Sequence, residues 1–385
     1  MKFNKYKISH YFIFIISGIN YLIAIILRSL IRNKKNRILL YGHKLVGNLE
    51  VIFKDSRFAK HEVMFITLNF SDYLKLKKIY GNRILTPLST VQLFKCLSSK
   101  LIIASHGIFF HKIIKRLGIQ TILCGHAING SIPNNKNKTK KYFEMFDQVL
   151  LHSPYDKKIV ENELLVGNSN LNTTGFARNQ IMVENSFKKK ELKSKNNLSN
   201  KKIIIYAPTS NRGSKKYMGS TFSVHNINFY KYISKELLDS EIVFIIKTHV
   251  NDSISKEIIE FVKENKQIYF DKDILINYDY DLLIISDVLI TDLSTIYVDY
   301  LLLEKPIYLF DNPDPDPKRE LSSILKNINL PKIKTQEELK NFIQKVKSDS
   351  LEFQNINKLK QEIYESQDHL DTIEKIDDIF SSISN

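Results

Sequence analysis

Histidine is the side chain whose ordinary pKa best suits proton transfer near neutrality. His126 and His249, two of the ten histidines in this 385-residue chain, each stand where a short apolar run ends. His126 follows QTILC in the segment CGHAINGSIP, between Gly125 and Gly130, which permit close approach of the backbone to a ligand. His249 closes the run IIKTH. Both are candidates for general acid–base chemistry or for contact with a charged substrate, whereas His106, His111 and His152 are read as structural.

A second constellation is SDVLITDLSTIYVDYLLLEKPIYLFD, from Ser286 to Asp311. Asp292, Ser294 and Thr295 follow DVLIT and open an apolar stretch that reaches Leu303. Unpaired backbone N–H groups at such a helix start, helped by two hydroxyls, suit a phosphate, and capping by Asp292 or Ser294 is compatible with that use. The segment YAPTSNRGS, 206–214, adds Thr209, Ser210 and the guanidinium fork of Arg212. The pairs Asp271/Asp273, Asp279/Asp281 and Asp314/Asp316 have the spacing of divalent-ion ligands but lack further ligands around them, so they are read as solvated loops. No metal and no cofactor is expected.

These residues need elements to hold them. RILLY (37–41), VMFIT (63–67), LIIAS (101–105), QTILC (120–124) and QVLLH (148–152) are continuous apolar runs too short for helices, which predicts strands buried on both faces of a parallel sheet. KIIIYAPT (202–209), IVFIIKTH (242–249), QIYF (267–270), DVLIT (287–291) and PIYLF (306–310) repeat the pattern, with helices over Ser255–Glu264 and Ser294–Leu303 between them. FKKKELKSKNNLSNKK, from Phe187 to Lys202, carries seven lysines and one glutamate and predicts an exposed linker. The expected organisation is an N-terminal segment 1–36, a Rossmann-like domain 37–187, a linker 188–201, a second Rossmann-like domain 202–334 and terminal helices 335–385. Ligands of open parallel sheets lie beyond the carboxyl ends of the strands, so the candidate residues face a cleft between the two halves.

Composition narrows the partners. With 43% apolar and 25% charged residues the chain is globular, and 12 glycines leave few positions for glycine-rich phosphate loops. Cys96 and Cys124 alone build no disulfide framework. The net charge of +16 calls for a polyanionic partner, and nine lysines and arginines precede the first acidic residue, Glu50. That basic end flanks the uncharged run Tyr11–Leu27, at the short limit for a membrane span and followed by RSLIRNKKNR where a cleavage site would stand. The expectation is a membrane-associated apolar helix, with the body at the cytoplasmic face of the cell membrane. No nucleic-acid partner is expected, because the charge sits beside an apolar anchor and in the linker.

The three constellations, in this order, resemble the CDP-glycerol glycerophosphotransferase family of teichoic acid and capsule polymerases. SDVLITDLSTIYVDYLLLEKPIYLFD resembles that family's SDxLITDYSSxxFDxxxxxKPxxxxxxD, YAPTSNR its YAPTWR, and KTH its K-x-HP; CGHAINGS stands where the family has WHGTPLK, and TTGFARNQ where it has G-x-x-R-N-D. The resemblance spans about residues 37–312. It implies an α/β GT-B fold, two Rossmann-like parallel-sheet domains facing a cleft, the first for acceptor and the second for nucleotide donor. It further implies His126 as general base and His249 as donor-phosphate ligand or second catalytic histidine. Thr209, Arg212, Ser294 and Thr295 become pyrophosphate contacts, Asp292 positions the helix start, and Arg178 and Asn179 lie near the cleft.

The implied reaction moves a polyol phosphate, by resemblance glycerol phosphate, from a CDP-linked donor to a hydroxyl of a cell-surface polymer or lipid-linked primer. His126 would take the proton of the attacking hydroxyl and CMP would leave. A GT-B glycosyltransferase using a nucleotide sugar for capsule or lipopolysaccharide is the alternative enzyme. A non-catalytic membrane-bound polymer-binding protein is the alternative of another class.

Overall fold

A computed structural model describes residues 8–30, 35–67, 69–108, 110–125, 131–133, 135–167, 170–209, 222–248, 253–278, 280–292, 294–310, 319–321, 329–351, 356–367 and 369–384. The first apolar runs form a seven-stranded parallel sheet from β1 (Lys35–Tyr41), β2 (Glu62–Ile66), β3 (Ile84–Leu85), β4 (Ser99–Ala104), β5 (Gln120–Cys124), β7 (Gln148–Leu150) and β8 (Leu171–Asn172). Its order is β3-β2-β1-β4-β5-β7-β8. The second series forms a parallel sheet ordered β11-β10-β9-β12-β13-β15, from β9 (Lys202–Ala207), β10 (Ile242–Ile246), β11 (Ile268–Phe270), β12 (Val288–Thr291), β13 (Ile307–Phe310) and β15 (Lys332–Ile333). Both sheets begin at a first strand, run two strands outward and then cross to the other side. That reversal creates a switch point, between β1 and β4 in one sheet and between β9 and β12 in the other.

The strands are apolar throughout because each sheet is covered on both faces. Ile38 and Leu40 face one core and Leu39 another, and Ile203 and Ile205 part from Ile204 and Tyr206 in the same way. The predicted strands therefore stand within two or three residues of the observed ends, while β3, β8 and β15, two residues each, are too short to show as runs. Two further strands, β6 (Ser131–Pro133) and β14 (Arg319–Leu321), pair antiparallel with Ile132 opposite Glu320 and tie a loop of the first lobe to the second.

Two expectations are corrected. The lysine-rich segment is not an exposed linker: a helix forms over Lys189–Lys195, Leu192 and Leu198 are buried in the second lobe's core, and Lys189 and Lys193 reach the Asp287 carboxylate at 2.5 and 2.9 Å. Two leucines among seven lysines leave no helical period to read, yet they suffice to dock one turn each. The helix expected from Ser294 begins at Ile296, with Thr295 at its N-cap and no side-chain capping bond. The terminal helices divide between the lobes. Gln336–Lys347 packs on the second lobe, and Ile356–Tyr364 contributes Ile356, Leu359 and Ile363 to its other face. Thr372–Ser384 crosses back, so that Ile373, Ile376 and Phe380 are buried in the first lobe.

The apolar N-terminal run is helical over Ile8–Leu30, but among the described residues no helix is long and apolar enough to cross a membrane. One side of this helix docks on the first lobe. Ala24 is buried, Asn20 Nδ2 donates to the Pro87 carbonyl at 3.3 Å, Thr90 Oγ1 donates to Asn20 Oδ1 at 2.9 Å, and Tyr21 stacks on Phe110. Arg28, read as part of a solvated basic flank, instead turns inward and donates from Nε to the Leu97 carbonyl at 3.0 Å. The opposite side leaves Phe12, Phe14, Ile15, Leu22, Ile26 and Leu30 exposed.

Candidate active site

The carboxyl ends of β9 and β12 are neighbours, and they bring together residues 83 positions apart in sequence. Asp292 Oδ1 accepts the Thr209 backbone N–H at 2.8 Å, the Thr209 hydroxyl at 2.6 Å and the Ser294 N–H at 3.1 Å. Asp292 thus clasps both sides of the second sheet's switch point, and Ser294 and Thr295 follow directly at the mouth. Burial pushes the Asp292 carboxyl up, against the hydrogen bonds from Thr209 and Ser294. On the other side of β9, the Thr248 hydroxyl at the end of β10 donates to Asp271 Oδ1 at 3.0 Å. This is the position from which His249 follows in sequence. His126, His249, Arg212 and Ser210 lie outside the described residues.

The first lobe presents its own cluster of strand ends. His43 follows β1 and Ser105–His106 follow β4; the two imidazole rings stand 4.6 Å apart and Ser105 Oγ is 2.7 Å from His106 Nδ1. Burial, and then the neighbouring His43, push the His106 imidazole down to about 4, so it is neutral at pH 7. The packing at Gly42 is close: a Cβ there would lie 2.7 Å from both Leu49 Cδ1 and Ser105 Oγ, and one of those side chains would have to shift. His106 was read as structural and His43 was not singled out. Yet both follow apolar runs as His126 does, and that signal was available.

Arg178 and Asn179, expected near the cleft, belong to a buried polar cluster between the lobes. Both lie on the helix Ala177–Glu184, and Arg178 Nη2 donates to both oxygens of Asp299 at 3.2 and 3.1 Å. Tyr280 donates its hydroxyl to Asp299 Oδ2 at 2.9 Å. His152 Nε2 lies 3.1 Å from Asp299 Oδ1, 3.0 Å from Tyr364 Oη and 2.7 Å from Asn179 Nδ2. Burial would raise the Asp299 carboxyl, but the Arg178 guanidinium and His152 hold it well below the usual carboxylate range. His152 is fully buried, and two of its partners, Asp299 and Tyr364, lie in the other lobe.

Much of the 286–311 constellation is likewise structural. Lys305 Nζ donates to the carbonyls of Ile284 and Ser286 at 2.8 Å each, closing the end of the helix Asp281–Ile285. Of the acidic pairs, Asp271 serves Thr248, Asp273 Oδ2 accepts from Phe270 N–H, and buried Asp281 accepts from the N–H groups of Asn277 and Tyr278; Asp279, Asp314 and Asp316 lie outside the described residues. Among the described residues no group of three or more His, Cys, Asp or Glu could hold a metal ion.

Two parallel sheets are the arrangement that the sequence motifs imply, and Thr209, Asp292 and Ser294 meet at the switch point of the second. The profile of the CDP-Glycerol:Poly(glycerophosphate) glycerophosphotransferase family matches residues 24–373. The chain belongs to this family. A teichoic acid glycerol-phosphate transferase of Staphylococcus aureus (strain NCTC 8325 / PS 47) is 28% identical over 208 residues, 51% of this chain and 50% of that protein. A teichoic acid glycerol-phosphate primase of Bacillus spizizenii (strain ATCC 23059 / NRRL B-14472 / W23) is 25% identical over 233 residues, 56% of this chain and 57% of that protein. The chain spans about half the length of the curated relatives it matches. A solved structure of the wall teichoic acid polymerase TagF superposes with a TM-score of 0.71 at 16% identity, covering 96% of this chain and 93% of that one, so this glycerophosphotransferase-family chain shares TagF's GT-B-like fold. Within the family fold, Thr209, Asp292 and Ser294 meet at one strand-end mouth, and Arg178 and Asn179 stand between the lobes.

Proposed function

We propose that this chain is a transferase that moves glycerol phosphate from CDP-glycerol to a hydroxyl of a cell-envelope polymer or lipid-linked primer, releasing CMP. The observation that carries this is the clasp of Thr209, Asp292 and Ser294 at the second lobe's switch point, in a chain matched by the glycerophosphotransferase family over 24–373. Asp292 holds the Thr209 and Ser294 N–H groups, and the hydroxyls of Ser294 and Thr295 at that mouth suit a diphosphate; Arg212 follows in sequence from β9 and His249 from β10. His126, from the first lobe, acts as general base on the acceptor hydroxyl, and charge on the transferring phosphoryl group is met by fixed donors rather than by covalent chemistry.

The acceptor is long or lipid-anchored, and the exposed apolar side of the helix Ile8–Leu30 supports attachment to the cytoplasmic face of the membrane. With its other side docked on the first lobe, the helix lies along the bilayer surface rather than across it. Lys2, Lys5, Lys7, Arg32, Lys34 and Lys35 beside it suit anionic lipid headgroups.

Purified protein supplied with CDP-glycerol and a glycerol-phosphate primer is expected to release CMP, and His126→Ala to lower that rate by ~10²- to 10⁴-fold. No CMP from any CDP-polyol, or an unaltered rate in His126→Ala, overturns the proposal.

A further inference from the structure

A line of hydrogen bonds runs from the base-bearing end of the first lobe to the donor face of the second. The carbonyl of Gly125, the residue before His126, accepts from Asn48 Nδ2 at 3.4 Å. Asn48 Oδ1 in turn accepts the backbone N–H of Arg178 at 3.3 Å. The Arg178 guanidinium then crosses between the lobes to Asp299, and Asp299 stands four residues beyond Thr295 on the short helix that follows the Thr209–Asp292–Ser294 clasp. Each of the three side chains is buried: Asn48, Arg178 and Asp299 are 3%, 4% and 1% exposed. Arg178 is packed as well as paired, its guanidinium 4.5 Å from the Phe176 ring and 5.0 Å from the Tyr280 ring. On the far side of His126 the strand pair β6–β14 again joins the lobes.

We propose that Asn48, Arg178 and Asp299 form a positioning relay that fixes the end of β5, from which His126 follows, against the donor-phosphate face at Thr209, Asp292 and Ser294. The relay rests on the functional reading above and adds three positioning residues to it. None of the three touches the donor. Their work is to hold two lobes in a register that neither lobe specifies alone, because a fully formed donor site and a fully formed base loop are useless if displaced by an ångström or two. An ion pair buried between lobes is a poor source of net stability but a strict geometric constraint, since any other arrangement leaves a charge unpaired. Asn48 extends that constraint by one amide, using both its donor and its acceptor.

The test separates position from binding. Ile79→Cys and Leu238→Cys place spin labels on exposed sites of the two lobes, while the native Cys96 and Cys124 are buried and stay unlabelled. In this background Asn48→Ala, Asn48→Asp and Asp299→Asn are compared with the parent. Asn48→Asp keeps the acceptor for Arg178 and loses the donor to Gly125. Asp299→Asn is expected to broaden the interlobe distance distribution. All three are expected to lower kcat at least tenfold, with the KM for CDP-glycerol within about threefold of the parent, because the donor site lies wholly in the second lobe. An unbroadened distribution in Asp299→Asn, or a kcat within twofold of the parent in Asn48→Asp while its melting temperature is unchanged, overturns the relay. A parent that releases no CMP ends the functional reading instead, and the relay with it, whatever the distances show.

Discussion

Asp292 and Asp299 are the same residue type seven positions apart, and their surroundings send them in opposite directions. Asp292 meets only hydroxyl and amide donors, so burial wins and its carboxyl rises; Asp299 meets the Arg178 guanidinium, and the charge wins over burial. The first is left at the mouth, available to a ligand's surroundings, and the second is locked between lobes. His106 offers a residue-scale test in pH. Its folded pKa of about 4 lies below the ordinary 6.5, so between these values the unfolded chain binds more protons than the folded one. Acidification from 6.5 to 4 therefore removes stability. His106→Asn is expected to flatten that part of the stability–pH curve, measured by urea unfolding, and an unchanged slope would show that His106 is as readily protonated folded as unfolded.

Among the elements, the helix Ile8–Leu30 divides its two faces between protein and surroundings. Asn20, inside the apolar run, and Arg28, at its basic flank, are residues that dock it to the first lobe. The apolar residues they leave outward would each contribute about 1.5–3 kcal/mol if covered. Vesicles of phosphatidylglycerol are expected to carry the protein down on centrifugation, and Phe14→Asp combined with Leu22→Asp to leave it in the supernatant. Equal sedimentation of the two would remove the helix from the attachment. The helix Lys189–Lys195 teaches a related lesson: lysines count as solvated only until a carboxylate such as Asp287 stands within reach.

The whole molecule is held by crossings that no single segment announces. The helix Thr372–Ser384 returns to the first lobe, where Phe380 packs against Phe58 at a ring distance of 5.7 Å with no exposed surface. Phe380→Ala is expected to cost about 3–5 kcal/mol in denaturant unfolding, and a loss under 1 kcal/mol would mean that this helix contributes little to the first lobe. Two parallel sheets and the family were both legible in the sequence. Apolar run length reports burial on both faces, and a motif at a strand end inherits its place from the strand. The role of Arg178 was not legible, because its partner Asp299 lies 121 residues away in the other lobe. Nor could the sequence place His43 beside His106, since strand neighbours are set by crossover order rather than by chain order. What the chain determines by itself is which residues are buried and which strand ends carry polar groups, because those follow from local pattern. Which ends face one another, and which buried charges find partners, is decided only when two sheets and a returning helix close on each other, since a hydrogen bond across lobes depends on their relative placement and on nothing local.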